Sequence, residues 1–395
     1  MGYCGREVYL AGGLRSHIGL KNGMFRHIPA EDLAAALLRE VIEKYPAAAD
    51  ADEIICGNAV GTGGNITRLM ALKAGVSASV PCITLDMQCA SAAAAIQLAA
   101  AKIGCGMADL IVAGGFESSS MQPLRVYNEA DPRYRPEGFT VAQFSPETES
   151  PLVMLEGAER TAQLAGFTRE ELDAIAVESH RKALRAAEEG VLEDVVAPLF
   201  GSLRDEGIRK RMSPRLAARM PSLFSADAVE KLTGRPGEPV LTACNACLIN
   251  DGAAFVVLAS ERFLADHPEL RGELRFVAAC DGGVETGQSP RGAVTVGDLL
   301  LEREGVTPEA VDAFEYNEAF AVITGIFGRE HPELMDRYCR YGGALAYGHP
   351  YGASGAILLL HLWQSLKREG GRLGLVSIAG AGGLGSASLW EYTGD

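Results

Sequence analysis

Long apolar runs are missing from this chain: none approaches the ~18 residues that a membrane-spanning helix needs. The first residues, which include Arg6, Glu7 and Arg15, show no apolar stretch of the kind that opens a secretory signal. An excess of positive charge is missing too, since the formal net charge is −15. Nucleic acid and anionic membranes are therefore not expected partners, unless positive charge is gathered at one place. Nine cysteines, an odd number scattered over a long chain, do not form a disulfide framework and read as mostly reduced core residues of a cytoplasmic protein.

What is present is globular. Hydrophobic residues make up 48% and charged residues 22% of 395 positions, enough for two or three structural units around a large core. Short β-rich runs alternate with Ala/Leu-rich stretches: "EDLAAALLREVIEKY" reads as helix, "EIICGNAV" as strand, "AAAAIQLAAAKIG" as helix and "DLIVAGGFES" as strand. That alternation predicts an α/β fold with helix-covered sheets. A repeat lies within it. The stretches beginning at Ala90 and Ala353 each run through a small-residue helix start, an apolar helix, a Gly-bearing turn, an apolar strand and an Ala-Gly exit. Two such units predict a duplicated fold whose repeated helices, apolar almost all round, are buried between layers.

Between the halves, residues 120–245 change character. "QPLRVYNEADPRYRPEGFTVAQFSPETESP" is polar and proline-bearing, an irregular excursion. A helix follows it, with Thr168 as N-cap, Glu171 three residues on and Gly190 at its end. This stretch reads as an insertion over the core. It contains the local exception to the negative charge, "IRKRMSPRLAAR", with Arg209, Lys210, Arg211, Arg215 and Arg219. These form either a solvated helix face or a landing site for a phosphorylated small molecule.

Four segments carry chemistry. In "LDMQCASAAAA", Cys89 follows a strand and opens a helix, where the unpaired N–H groups and the dipole are expected to lower its pKa. In "GGALAYGHPYGASGA", His349 occupies the same place before the second repeated helix. A pseudo-twofold would bring the two helix starts together, and Cys–His proximity is what activation of a nucleophile requires. "EYNEAFAV" offers Asn317, Glu318 and Phe320, an amide and an acid suited to holding a water or an oxyanion. "TACNACLINDGAAFVVL" contains Cys244 and Cys247 as C-x-x-C, but with no second ligand pair and no thioredoxin-like context no metal is expected. Near the end, Gly380, Gly382 and Gly385 match G-x-G-x-x-G. A dinucleotide loop would open a helix and feed a second strand, whereas "SASLWEY" reads as a strand, so these glycines are assigned to a turn between strands.

Taken together, "QCASA" around Cys89, "NACLINDGAA" from Asn245, "NEAFA" from Asn317 and "GGALAYGHPYGASGA" from Gly342 resemble, in order and spacing, the signature blocks of the thiolase superfamily. "PAEDLAAALLREV" and "DLIVAGGFES" are similar to that family as well, so the resemblance spans nearly the whole chain. It implies a duplicated five-layer α/β/α/β/α fold with an inserted loop domain, divided here into 1–119, 120–245 and 246–395. It implies a homodimer or homotetramer that moves acyl groups to and from coenzyme A, with the acyl-CoA thioester as substrate and no resident cofactor or metal. Cys89 would carry the acyl group as a thioester, and His349 would be its base and an oxyanion donor. Asn317 would hold a water in that oxyanion hole, while the backbone N–H groups of Cys89 and Ala381 would form a second one. Arg209, Arg215 and Arg219 would meet the phosphates of coenzyme A, and Met154, Cys247 and Phe320 would face the substrate.

The resemblance breaks at one block. The family's C-x-G near the C-terminus falls on Ala379 and Ala381, so the cysteine that shuttles a proton in Claisen condensation and thiolysis is absent. Cys339 lies forty residues upstream, and Ser377 is a poor base in a strand interior. Smaller departures are Val153 before Met154, Cys247 and Leu248 in place of serine and glycine, and Met220 where a basic residue is common. The expectation is an acyltransferase that acylates Cys89 and passes the group to coenzyme A or another acceptor, but performs Claisen chemistry and thiolysis poorly. The alternatives are a non-catalytic acyl-CoA-binding scaffold and an acyl-CoA hydrolase. An NAD-dependent oxidoreductase would rest on the terminal glycines alone.

Overall fold

The computed structural model describes residues 5–146 and 150–394. Cys4 and three residues of the irregular excursion, 147–149, lie outside the described residues. The chain opens with β1 (Val8–Ser16), β2 (Gly19–Leu20), α1 (Ala30–Lys44), β3 (Glu53–Gly57), α2 (Ile66–Ala74), β4 (Cys82–Leu85), α3 (Ser91–Gly104) and β5 (Leu110–Ser118). The insertion carries α4 (Val153–Leu164), α5 (Arg169–Glu188), β6 (Val196–Ala197), α6 (Pro214–Ala217) and α7 (Ala226–Thr233). Then come β7 (Asn250–Ser260), α8 (Glu261–Asp266), β8 (Leu274–Gly283), α9 (Arg291–Glu304), β9 (Ala313–Tyr316) and α10 (Ala321–Glu330). The last elements are α11 (Ala344–Tyr347), α12 (Ser354–Glu369), β10 (Leu373–Gly380) and β11 (Leu384–Tyr392).

Strand pairing displays the duplication. The order is β4-β3-β5-β7-β1-β8-β11-β10-β9, with the halves of the sheet joined where Tyr9 and Leu10 pair with Arg275 and Leu274. In the first half β3 runs parallel to β5, β5 antiparallel to β7, and β7 antiparallel to β1. In the second, β9 runs parallel to β10, β10 antiparallel to β11, and β11 antiparallel to β8. Each parallel step is preceded by its repeated helix, α3 or α12. The sequence division at 246 falls just before β7, yet β7 pairs with β5 and β1. By pairing, the second half begins at β8.

Alternation along the strands builds the layers. Ile55 and Ile111 of the first half face the same core as Val376 and Ile378 of the second, and α3 and α12 fill that core. Their strand neighbours Ile54 and Val112 turn to the opposite face, where α1 and α2 cover them. Leu375 and Leu389 likewise turn toward α9 and α10. The result is α/β/α/β/α. Every side chain of α12 from Ser354 to Leu366 is buried, which explains the absence of a polar face in its sequence. The central helices meet at backbone distance: a Cβ on Gly355 would lie 2.4 Å from the Ala93 nitrogen.

The insertion is tied to this frame. Helix α5 starts with the capping box that Thr168 and Glu171 foretell, and Gly190 takes φ +66° just beyond its end. Asp205 receives both guanidinium nitrogens of the buried Arg15, at 2.9 and 3.0 Å, which fixes the insertion to β1. Removing either partner would strand a buried charge at a cost of about 3–5 kcal/mol. Among the described residues, no helix is long and apolar enough to cross a membrane.

Candidate active site

The first functional segment is a sharp elbow between β4 and α3. Gln88 takes φ +53°, a left-handed conformation that a non-glycine residue adopts only under constraint. The constraint comes from Ser91, whose hydroxyl accepts from the Met87 N–H at 2.9 Å and donates to the Gln88 carbonyl at 2.6 Å. Asp86 adds an acceptor for the Gln88 N–H at 2.8 Å. Cys89 sits at the apex, half-buried, two residues before the helix proper.

The terminal glycines form a hairpin. Ala381, Gly382 and Gly383 connect β10 to β11, and both glycines take φ +81°. Thus the glycines turn the chain between strands rather than opening a helix. The hairpin tip reaches the elbow: a Cβ on Gly380 would lie 3.3 Å from the Met87 carbonyl, and the N–H groups of Ala381 and of Cys89 itself both bear on the Cys89 sulfur. Two backbone donors converging on one point are the arrangement that stabilises a developing oxyanion.

The acidity of Cys89 differs from the helix-dipole expectation. Burial, opposed only in part by those N–H groups and reinforced by the negative charges of Glu117 and Asp86, pushes the thiol up to about 12. The dipole argument is local, whereas desolvation is tertiary and here the larger effect.

His349 is set by its loop. Gly348 takes φ +101°, and a Cβ there would lie 2.1 Å from Asn250 Oδ1, so only glycine fits. The His349 N–H reaches Asn250 Oδ1 at 3.0 Å and the Leu248 carbonyl at 3.2 Å. Its ring is held at both nitrogens, with Nδ1 2.6 Å from Ser354 Oγ and Nε2 3.3 Å from Asn317 Nδ2. Ser354 Oγ also lies 3.0 Å from the Pro350 carbonyl. One proton arrangement satisfies all three contacts: Ser354 donates to Pro350, Nδ1–H donates to Ser354, and Nε2 keeps its lone pair for the Asn317 amide. Burial lowers the His349 pKa to about 3, so the imidazole is neutral.

Asn317 follows β9, and its N–H bonds the Ser377 carbonyl at 2.9 Å. The loop is zipped to the Cys244–Cys247 segment: the Cys247 N–H donates to the Ala319 carbonyl and the Ala321 N–H to the Asn245 carbonyl, each at 2.9 Å. The two cysteines diverge, since Cys244 touches the Met212 sulfur at 3.9 Å while Cys247, its pKa raised chiefly by burial, faces Cys89. Tyr351 joins the halves of the site, edge-on to His349 at 5.0 Å and within electrostatic reach of Cys89 and Cys247.

Ala379, 6% exposed, belongs to the same apolar cluster as Phe320, with Met154 and Cys247 packed against it. Ser377 turns its hydroxyl to the Ala293 carbonyl at 2.6 Å, and Cys339 is buried with its thiol on the Tyr316 carbonyl at 3.4 Å. The basic segment runs beside the insertion: Arg209 is half-buried near His180 and Cys244, and Arg215 and Arg219 are exposed. None of these three arginines enters an ion pair among the described residues.

Three positioning residues escaped sequence reasoning: Ser354, Tyr351 and Glu117. Glu117 is fully buried and accepts from the N–H groups of Ala59, Val60 and Gly352 at 3.0–3.2 Å and from Asn58 Nδ2 at 3.1 Å. It therefore pins the loop after β3 to the turn that follows His349. Its only sequence signal is an acid ending an otherwise apolar strand, "LIVAGGFES".

Comparison with known proteins shows the family. Residues 8–262 match the family model described as "Thiolase, N-terminal domain" and residues 273–392 match "Thiolase, C-terminal domain". A Bacillus subtilis (strain 168) protein named "Putative acetyl-CoA C-acetyltransferase YhfS" is 35% identical over 379 residues, covering 95% of this chain and 97% of its own. A Staphylococcus aureus (strain MRSA252) protein named "Putative acetyl-CoA C-acetyltransferase VraB" is 31% identical over 395 residues, covering 97% of this chain and 99% of its own. Among solved structures, a Bacillus anthracis acetyl-CoA acetyltransferase superposes with TM-score 0.87 at 28% identity, over 99% of this chain and 100% of that one. Human mitochondrial 3-ketoacyl-CoA thiolase in complex with CoA shares the fold, with TM-score 0.87 at 24% identity over the full length of both chains.

Proposed function

Because the chain belongs to the thiolase family and is a thiolase-like acyltransferase, we propose that it takes an acyl group from coenzyme A onto Cys89 and passes it to coenzyme A or another acceptor. The observation that carries this reading is the convergence on one point of the Cys89 elbow and the Ala381 N–H, with the Asn317–His349–Ser354 chain reached from it through Tyr351, which packs on His349 and lies within electrostatic reach of Cys89. His349 Nε2 takes the thiol proton as the sulfur attacks the thioester carbonyl. The Cys89 and Ala381 N–H groups receive the oxyanion, and coenzyme A leaves as its thiol. Loss of one such donor costs about 2.7–4 kcal/mol in comparable sites.

The resting pair is neutral on both sides, so proton transfer accompanies attack rather than preceding it. Acylation needs no side chain at position 379. Carbon–carbon bond formation and thiolysis do require a proton carrier near the α-carbon, and Ala379 cannot be one. This favours an acceptor other than an acetyl-CoA carbanion, with water as the second reading.

The exposed, unpaired Arg215 and Arg219, with Arg209 behind them, suit the phosphates of coenzyme A. Met154, Cys247 and Phe320 would line the acyl end. The outermost strand β4 offers four half-buried residues and an open edge, which supports a homodimer or homotetramer joined there. A cytoplasmic location follows from the same reading.

Incubation with acyl-CoA thioesters of graded length, followed by peptide mass spectrometry, tests the proposal. An acyl adduct on the Cys89 peptide, absent in Cys89→Ala, is expected. No adduct at any chain length would refute it.

A further inference from the structure

Behind the Asn317–His349 pair lies a cavity of about 20 Å³ lined by Asn317, Ser354, Tyr347 and His361 among others, all of them buried. Cys89, Cys247 and Ala381 do not line it, so it is separate from the point where the thiol and the backbone donors meet. A water molecule needs roughly 10–15 Å³ of such space and two to four polar partners. The volume admits one.

His361 makes the cavity informative. It is 2% exposed, and its Nε2 has no hydrogen-bond partner among the described residues. An unpaired buried polar group costs about 1–3 kcal/mol. Two turns of α12 separate it from Ser354, which places both on one face of the helix. The ring packs edge-on against Tyr347 at 5.2 Å, and the Tyr347 hydroxyl is itself bonded to the Tyr341 carbonyl at 2.8 Å. The charged groups facing it are Arg15 of β1 and Asp205 of the insertion, paired with each other. Burial and Arg15 hold the imidazole neutral, so one nitrogen donates and the other accepts.

We propose that this cavity binds one ordered water held by His361, Asn317 and Ser354, and that through it His361 is a positioning residue for His349. The inference rests on the reading of His349 as the base. Ser354 and Asn317 hold the two ring nitrogens of His349 directly, and the water would restrain both from behind.

Two measurements test this. A high-resolution crystal structure of the whole protein should show a water within hydrogen-bond distance of His361 Nε2. In His361→Leu, the rate of Cys89 acylation at saturating acetyl-CoA should fall by about 10- to 100-fold with little change in KM, the pattern of a displaced catalytic group. His361→Gln, which keeps a polar end, should recover much of the loss. No water at that place in the wild type, or equal acylation rates in wild type and His361→Leu, would overturn the inference, and the wild-type map decides if His361→Leu does not fold. Failure of the catalytic reading is a different result, because the wild type itself would then not acylate.

Discussion

On the proposed reading, placing a thiol at position 379 is the perturbation that separates the two halves of thiolase-type chemistry on this scaffold. Ala379 lies on β10 opposite Gly385 of β11, so its cross-strand neighbour has no side chain. The substitution Ala379→Cys adds one sulfur to an apolar cluster that is nearly closed, Ala379 being 6% exposed. Extra volume in a packed core costs about 1–3 kcal/mol, and the glycine opposite favours the lower end. Against that stands the return of a proton carrier, which general acid–base catalysis values at about 10²–10⁴ in rate, or about 3–5 kcal/mol of barrier.

The expected outcome is a rise in thiolysis of a 3-ketoacyl-CoA by about 100-fold or more. Cys89 acylation by acetyl-CoA should stay within about threefold, because His349 and the Ala381 N–H are untouched. Thiolysis is followed as acetyl-CoA formation, acylation by mass spectrometry of the Cys89 peptide, and folding by thermal melt. Ala379→Ser is the control, adding similar bulk without a thiol, and should gain far less. Brisk wild-type thiolysis that the folded Ala379→Cys variant leaves unchanged would refute the argument.

Two further outcomes follow from charges elsewhere. Replacing both exposed cations (Arg215→Glu with Arg219→Glu) should raise KM for acyl-CoA about tenfold, equivalent to about 1.4 kcal/mol, while an acyl thioester without phosphates reacts as before; equal effects on both substrates would exclude a phosphate contact. Glu117 ionises at about 7 in the fold because burial outweighs its hydrogen bonds, against 4.5 ordinarily. Below 4.5 it is protonated in both states; as pH rises through 4.5 toward 7 the unfolded chain ionises first, so its stabilising contribution is lost, about 3 kcal/mol in all. The difference in urea stability between wild type and Glu117→Gln should shift by that amount toward the variant across this window, and a pH-independent difference would contradict it.

How much of this was legible depended on whether the signal was local. The repeat of α3 and α12 could be read because a helix apolar all round has no alternative to burial, and the capping box of α5 because Thr168 and Glu171 act within one turn. The hairpin at Gly382 and Gly383 was readable once the following residues showed strand character. By contrast, β7 reads like any apolar strand, and nothing in its sequence says that it pairs with β5 and β1, which is why the division at 246 precedes it. The Cys89 acidity was misjudged for the same reason: the helix start is visible in sequence, the desolvation is not. Ser354 hides in "GASGA" as one more small residue, and only the turn between Pro350 and α12 brings its hydroxyl to His349. Gln88 carries no sign of its positive φ, since that conformation is imposed by Asp86 and Ser91 after the chain has folded.

The proposed separation of acylation from carbon–carbon chemistry draws on the geometry of the hairpin. Position 379 would contribute a side chain, whereas position 381 contributes a backbone N–H, whose placement depends on the turn. That turn is made by Gly382 and Gly383, whose left-handed φ values any side chain would strain, and the antiparallel pairing from Ala379↔Gly385 to Leu373↔Glu391 anchors it. A sequence can therefore replace the side chain at 379, and even put alanine at 381, without moving the donor. On the proposed reading, the loss of a thiol at 379 removes one half of the chemistry and leaves the other mechanically intact, because the two halves draw on different parts of the same hairpin.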